Sequence, residues 1–273
     1  MITTFDRQDP PMTPTPFPRL GFLGTGKIAG AMVEGFGGAP QPPPIVVSPR
    51  GEARSLALAR RWPNVARAGD NQEVLDRSDL VFLALRPPVA PEVVPGLRFR
   101  ADHTVVALFP GLPLDRVGAW VRPAVRVFKA LPLPSAARRF GPVLYFPEDP
   151  GLAQVLGCLG EPLATTGLDE LNRLWAATGL LSPFFALLQA GQDWCVGGGA
   201  RPGFAGAYLA AMVAAMARMA EGGAAFGDLA AEAATPGGLN EMTLGRMRDS
   251  ALVPGLEAAL EAVMDRLRAL RDA

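Results

Sequence analysis

The run Gly21-Phe22-Leu23-Gly24-Thr25-Gly26-Lys27-Ile28-Ala29-Gly30 constrains this chain more than any other segment. Leu20 to Leu23 is a short apolar strand candidate, and Lys27 to Gly35 predicts a helix. A GxGxxA pattern alone is weak, because the chain holds 31 glycines. Placed between a first strand and the helix that opens a strand–helix–strand unit, it becomes specific. Gly24 allows the tight turn, Gly26 lets a diphosphate approach the backbone, and Ala29 keeps the helix close to the sheet. The helix start at Thr25, Gly26, Lys27 and Ile28 offers unpaired N–H groups and a partial positive charge to that diphosphate.

The rest of the first half repeats the pattern. Ile45 to Val47, Leu80 to Leu85, Thr104 to Phe109, Val125 to Phe128 and Val143 to Phe146 are further strand candidates, and Glu52 to Arg61 is helical. Leu80 to Leu85 is continuously apolar, as a strand covered on both faces must be. Strands alternating with helices predict an α/β fold, a doubly wound Rossmann-type domain with a largely parallel sheet. After about Gly167 strand signals vanish. Leu256, Leu260, Val263, Leu267 and Leu270 recur at helical spacing, with Glu257, Glu261, Arg266 and Arg268 mostly on other faces. The expected division is a Pro-rich leader over 1–18, a nucleotide-binding domain over 19–166 and an all-α domain over 167–273, in keeping with the length of 273 residues.

Composition excludes several function classes. Lys+Arg and Asp+Glu both total 26, so the chain has no excess charge with which to grip nucleic acid or an anionic membrane. Cys158 and Cys195 cannot make a disulfide framework, and with His103 as the lone histidine no metal site is expected. His103 precedes a strand and is expected at a solvent-facing strand start. The leader has prolines at positions 10, 11, 14, 16 and 18 and no apolar core, unlike a secretory signal, and the expected location is cytoplasmic. Ser182-Pro183 interrupts the apolar Leu174 to Ala190, and Phe204 to Ala220 is mostly alanine and methionine with Arg218, so both predict buried helices rather than membrane spans. The helix over Ala205 to Ala220 is apolar all round, which predicts a homodimer or higher homo-oligomer that covers it.

The end of the second strand bears on the cofactor. An acidic residue there would bind a ribose 2′-hydroxyl and repel a 2′-phosphate. The sequence instead reads Val47-Ser48-Pro49-Arg50, a hydroxyl and a guanidinium suited to a phosphate, and NADP (NADPH) is favoured over NAD. Arg54, one helical turn on, either joins them or lies on a solvated helix face.

The glycine run through Gly35 resembles the opening motif of the Δ1-pyrroline-5-carboxylate reductase family, with Lys27-Ile28 in place of the usual Asn-Met. Asp70-Asn71-Gln72-Glu73 and Ser78 to Pro87 are similar to its next cofactor-facing segments, and Thr235-Pro236-Gly237-Gly238 to its substrate loop. The resemblance spans nearly all of Leu20 to Leu270. It implies hydride transfer from NADPH to the C=N carbon of a small cyclic imine, with a dimer formed through the helical domain. It also implies that Ser48 and Arg50 hold the 2′-phosphate, Asn71 the adenosine ribose, and Leu85, Arg86 and Pro87 the nicotinamide side.

Departures fall on the substrate side. The family's MPNTPA is Leu131-Pro132-Leu133-Pro134-Ser135-Ala136, SPGGTT is Thr235-Pro236-Gly237-Gly238-Leu239-Asn240, and GSGPAY is Gly179 to Phe184. Thr235 and Asn240 are the candidate catalytic groups and the amides of Gly237 and Gly238 the candidate substrate donors; a plain Pro-Gly-Gly helix break is the other reading. Glu241 either meets a substrate ammonium or caps a helix, and Lys129 either meets an anion or lies on the surface. The drifted loops leave two alternatives open: a reductase of a different imine or carbonyl compound, and an NADP-binding regulatory protein without catalysis.

Overall fold

A computed structural model describes residues 17–250 and 252–272. Positions 1–16 of the expected leader lie outside the described residues. The first half builds one eight-stranded sheet. Its strands and helices are β1 (Leu20–Leu23), α1 (Lys27–Gly37), β2 (Ile45–Val47), α2 (Glu52–Arg61), β3 (Val65–Arg67), α3 (Asn71–Asp76) and β4 (Leu80–Leu83). They continue as α4 (Ala90–Val93), β5 (Thr104–Ala107), α5 (Leu114–Trp120), β6 (Arg126–Pro132), β7 (Pro142–Phe146), α6 (Pro150–Leu156) and β8 (Glu161–Ala164).

The strand order is β3-β2-β1-β4-β5-β6-β7-β8, and every pair is parallel except β6 with β7. The chain moves outward from β1 to β3 and then crosses back to β4, so the topological switch point lies between β1 and β4. Open α/β sheets bind ligands at the carboxyl ends of the strands at such a point. The expected doubly wound α/β fold is what the structure shows.

Alternation of side chains splits the sheet into two apolar faces. One carries Phe22, Val47 and Phe82 under Met32, Val33 and Phe36 of α1. Phe22 stacks on Phe82 with ring centroids 4.7 Å apart. The other carries Leu23, Leu83 and Ala107 with Val74 and Leu75 of α3 and Ala90 of α4. All four residues of β4 are buried, which explains its continuous apolar run.

The strands the sequence reading missed, β3 and β8, are the two edges of the sheet. Edge strands are covered on fewer sides and need no apolar run, so they carry no strong pattern. β6 runs on to Pro132 because its second half pairs antiparallel with β7, whereas Val125, expected to open it, is exposed.

Two other expectations are corrected. His103 is fully buried, not solvent-facing. Its Nδ1 accepts the Arg100 N–H at 3.0 Å, and its Nε2 lies 3.1 Å from the Leu75 carbonyl, so hydrogen bonds rather than water satisfy the ring. Lys129 is not a surface lysine: only 1% of it is exposed.

The chain divides into two compact units, the first running to Leu171 and taking in the residues from Leu270 onward, the second spanning Asn172–Ala269. The division falls inside α7 (Leu168–Ala177). The second unit is helical, with α8 (Leu181–Gly197), α9 (Pro202–Ala220), α10 (Phe226–Ala233), α11 (Leu239–Asp249) and α12 (Leu252–Asp272). Ala176, Met264 and Leu267 form a small core there. The expectation that the two apolar helices are buried fails for the single chain. Within α9 only Ala205 is buried, while Phe204 is 62% and Tyr208 64% exposed. The helical segments 168–197 and 202–220 are, by length and composition, long and apolar enough to cross a membrane, with mean hydropathy 1.3 and 1.4.

Candidate functional site

The glycine run turns sharply after β1, and each glycine has its own reason. Gly24 adopts φ +102°, and a Cβ there would stand 2.7 Å from the Ala84 carbonyl oxygen on the neighbouring chain segment. Gly26 has ordinary φ, and nothing lies within 4 Å of where its Cβ would be. Gly24 therefore serves the fold, while Gly26 leaves open space above the start of α1. That helix has no side-chain cap and no acidic residue in its first turn, and Lys27 stands at its first position. Its free N–H groups and dipole are left to an anion.

The end of β2 locks onto this turn. Ser48 Oγ accepts the Gly24 N–H at 2.8 Å, and Thr25 Oγ1 donates to the Arg50 carbonyl at 2.8 Å. Gly51, at φ +81°, passes so close that a Cβ would stand 2.6 Å from Thr25 Oγ1. Arg54 reaches back from α2 to the Thr25 carbonyl at 3.1 Å, so it braces the turn rather than lying free on a solvated face. On the far side Asp70 caps α3 by accepting the Glu73 N–H, Glu73 accepts the Gly69 N–H, and the pair places Asn71 at the helix start.

Together these segments line a cleft of about 360 Å³ at the carboxyl ends of β1, β2 and β4. Eight of the expected residues meet there: Gly24, Thr25, Gly26, Ser48, Arg50, Asn71, Leu85 and Arg86. The guanidinium groups of Arg50 and Arg86 are exposed and form no ion pair or hydrogen bond among the described residues. Lys27 lines the groove between α1 and α2, Ile28 packs against the core, and Pro87 follows Arg86 without lining the cleft. Gly51, Ala84, Val89 and Val93 complete the wall. Of these, only Gly51 had a legible signal, as a glycine at a strand-to-helix turn.

The cleft suits a dinucleotide phosphate. Open backbone over Gly26, an uncapped helix start and two unpaired guanidiniums form a donor set for phosphate oxygens, and among the described residues no carboxylate lines the cleft to repel them.

Thr235, Gly237, Gly238 and Asn240 lie together in the second unit at the start of α11, and both candidate backbone donors are already engaged. The Gly237 N–H donates to Glu241 Oε2 at 2.7 Å, and the Gly238 N–H to the Thr235 carbonyl at 2.8 Å. Asn240 Nδ2 donates to the Ala233 carbonyl at 3.1 Å. Glu241 thus holds the turn before its own helix.

A family model described as NADP oxidoreductase coenzyme F420-dependent matches residues 19–111, the segment that builds the cleft. Fold, cleft and match agree in kind: the first unit has the fold of a dinucleotide-binding domain and, over residues 19–111, is similar to NADP oxidoreductase domains. The chain is 27% identical to pyrroline-5-carboxylate reductase 2 of Bacillus subtilis over 124 residues, 44% of this chain and 45% of that protein. It therefore spans about half the length of that curated relative. The 1-pyrroline-5-carboxylate reductase of Streptococcus pyogenes superposes with a TM-score of 0.82 at 18% identity, over 92% of this chain and 98% of that one. The Plasmodium falciparum pyrroline carboxylate reductase, solved with NADP bound, gives 0.80 at 14% identity, covering 93% and 98%. The chain is thus similar to pyrroline-5-carboxylate reductases in the sequence of its first half and in fold over most of its length, in line with the resemblance in the sequence. The cofactor expectation, NADP, agrees with the description of the matching family.

Proposed function

We propose that this protein is an NADPH-dependent reductase that transfers a hydride to the C=N carbon of a small cyclic imine, in the manner of pyrroline-5-carboxylate reductases. The observation that carries the reading is the cleft at the switch point, where an uncapped helix start and the unpaired Arg50 and Arg86 converge. The glycine turn holds the diphosphate, Arg50 with the Ser48 segment takes the 2′-phosphate, and Asn71 meets the adenosine ribose. Leu85, Arg86 and the following Pro87 flank the nicotinamide end. The bound cofactor supplies the hydride. The protein's share is to bind, orient and exclude water. Thr235 and Asn240, with the amides of Gly237 and Gly238, are assigned to the substrate. An imine is readily protonated, so the engagement of the sole histidine, His103, in the fold is no obstacle.

A homodimer or larger homo-oligomer belongs to this reading. Phe185, Trp194, Phe204 and Tyr208 expose more apolar surface than a lone helical unit leaves in water, and a second copy covering them is part of this proposal. NADPH consumption with a panel of cyclic imines tests the proposal. Turnover of one of them is expected. Tight NADPH binding without turnover of any imine would favour a regulatory nucleotide-binding protein.

A further inference from the structure

Lys129 is the one lysine among the fully buried side chains, and the proposed reaction has not used it. It forms no hydrogen bond or ion pair among the described residues. The side chain is almost wholly enclosed, but its Nζ is not among the fully buried polar atoms that lack a partner. The ammonium thus keeps a trace of solvent contact at a position an apolar residue would fill at lower free energy. Burial alone lowers its pKa from 10.5 to about 8.

Its place in the sheet says what the charge can act on. In the register of the parallel strands, Leu23 pairs with Leu83, Leu83 with Ala107, and Ala107 with Lys129. These four residues form the last row before the carboxyl edge, where Gly24 and Ala84 begin the cleft. Side-chain alternation puts Lys129 on the face that carries Leu83 and Ala107. This is also the face of α4, and Val89 and Val93 beside it line the cleft. Lys129 stands two strands from β4, roughly 10 Å at ordinary strand spacing. Across the cleft the order is Arg50 after β2, the glycine turn after β1, and Leu85-Arg86 after β4. A dinucleotide anchored by its 2′-phosphate at Arg50 therefore points its nicotinamide toward β5 and β6.

We propose that the buried ammonium of Lys129 makes the cleft discriminate between the redox states of the nicotinamide cofactor, opposing the cationic oxidised ring while leaving the neutral reduced ring unaffected. This rests on the cofactor reading above and extends it. The two forms share every phosphate and ribose contact, so only a charge near the ring separates them. Such a bias favours binding of the reductant and release of the oxidised product. With an effective dielectric of about 20, one unit charge at about 10 Å changes affinity on the order of tenfold. The other charges on elements packed around β6 are Asp115 and Arg116 of α5, Glu148 and Asp149 after β7, and Arg126 on β6. Asp149 is engaged by Arg126 at 2.9 Å, at the opposite end of the strand, and Asp115 accepts the Arg116 N–H.

The test is equilibrium binding of NADPH, NADP+ and 2′-phospho-ADP-ribose, which lacks the ring, to the full chain and its Lys129 variants. Wild type is expected to prefer NADPH over NADP+ by about tenfold. Lys129→Met should remove most of that preference by strengthening NADP+, with 2′-phospho-ADP-ribose unchanged, and Lys129→Arg should restore it. Parallel weakening of all three ligands in Lys129→Met would show a structural role and overturn the proposal. Should Lys129→Met fail to fold, the wild type decides alone: its preference must shrink between pH 7 and 9.5 as the ammonium loses its proton, and a constant ratio overturns the proposal. If wild type binds none of the three, the cofactor reading itself is wrong and this inference goes with it.

Discussion

Ser48 Oγ accepts the Gly24 N–H at 2.8 Å, joining the end of β2 to the turn after β1 across 24 residues of sequence. Ser48 is buried, so its hydroxyl builds the glycine turn, whereas the exposed Arg50 two residues on offers charge to a ligand. The segment Ser48-Pro49-Arg50 thus divides its labour between fold and recognition.

That division makes the two residues separable. Arg50→Ala removes a charge-assisted bond to the 2′-phosphate and should weaken NADPH on the order of 10- to 150-fold with NADH hardly changed. Ser48→Ala should instead weaken both cofactors, because it loosens the turn they share. Titration of both variants with both cofactors checks this. Equal losses for NADPH and NADH in Arg50→Ala would show that Arg50 does not read the 2′-phosphate.

The two glycines of the turn should also come apart. Gly24→Ala forces φ +102° on an alanine and drives its methyl toward the Ala84 carbonyl. A loss of about 1–3 kcal/mol of stability is expected. Gly26→Ala meets no neighbour and has an ordinary φ, so thermal stability should hold or rise slightly. Its methyl nevertheless occupies the space given to the diphosphate, and NADPH binding should fall steeply. Melting curves with and without NADPH distinguish the two: a Gly26→Ala protein still stabilised by NADPH like wild type would refute the close approach.

Much of this site was legible before the structure, because its signals are local. The glycine turn, the non-acidic strand end at Ser48-Pro49-Arg50 and the buried β4 each follow from a short segment's own geometry. The edge strands β3 and β8 were not, since their few residues are only partly covered. Nor were the buried states of His103 and Lys129, which depend on elements far away in sequence: the ring of His103 is satisfied by the Leu75 carbonyl, 28 positions earlier, and Lys129 is enclosed by packing alone. The bracing of Thr25 by Arg54 was invisible for the same reason. In the second unit, the turn at Gly237 and Gly238 was recognised from its glycines, and of the two readings of Glu241 the helix-capping one is what its bond to the Gly237 amide bears out.

Acid should destabilise the protein through His103. Burial, then the neighbouring Arg100 charge, hold the imidazole pKa below its ordinary 6.5. Nδ1 accepts an N–H and therefore carries no proton, so the neutral Nε2–H form fits the site. The unfolded chain takes up a proton below about pH 6.5 while the folded ring resists it. Stability from this group is complete above pH 6.5 and falls as pH drops toward the folded pKa, with a limiting slope of about 1.4 kcal/mol per pH unit. Denaturant midpoints between pH 5 and 8 should show this bend for wild type and a weaker one for His103→Gln. An identical slope in the variant would assign acid sensitivity elsewhere.

Association should depend on the apolar faces of α8 and α9. Sedimentation at micromolar concentration should give a dimer or larger species. Replacing Phe185 and Tyr208, 65% and 64% exposed, by glutamate should shift it toward monomer by burying charge in the interface. A monodisperse wild-type monomer in aqueous buffer would remove the oligomer from the proposed function. Recovery only in detergent would instead point to the membrane-length helices themselves.

The substrate should differ from that of a typical pyrroline-5-carboxylate reductase, and the loop before α11 gives the reason. Leu239 places an exposed apolar side chain where the resembling family has a threonine, removing one hydroxyl donor. The Gly237 N–H is held by the Glu241 carboxylate at 2.7 Å, so a substrate carboxylate has to displace an existing anion to use it. Loss of one hydrogen bond to a charged group costs about 1.5–3 kcal/mol of transition-state binding, or roughly 10- to 150-fold in kcat/KM. Reduction of Δ1-pyrroline-5-carboxylate is therefore expected to be detectable but weak, with a larger or more apolar imine preferred. Leu239→Thr should raise kcat/KM on the small substrate and lower it on the bulky one. Efficient wild-type proline formation that Leu239→Thr leaves unchanged or worsens would show that the altered loop does not set substrate choice.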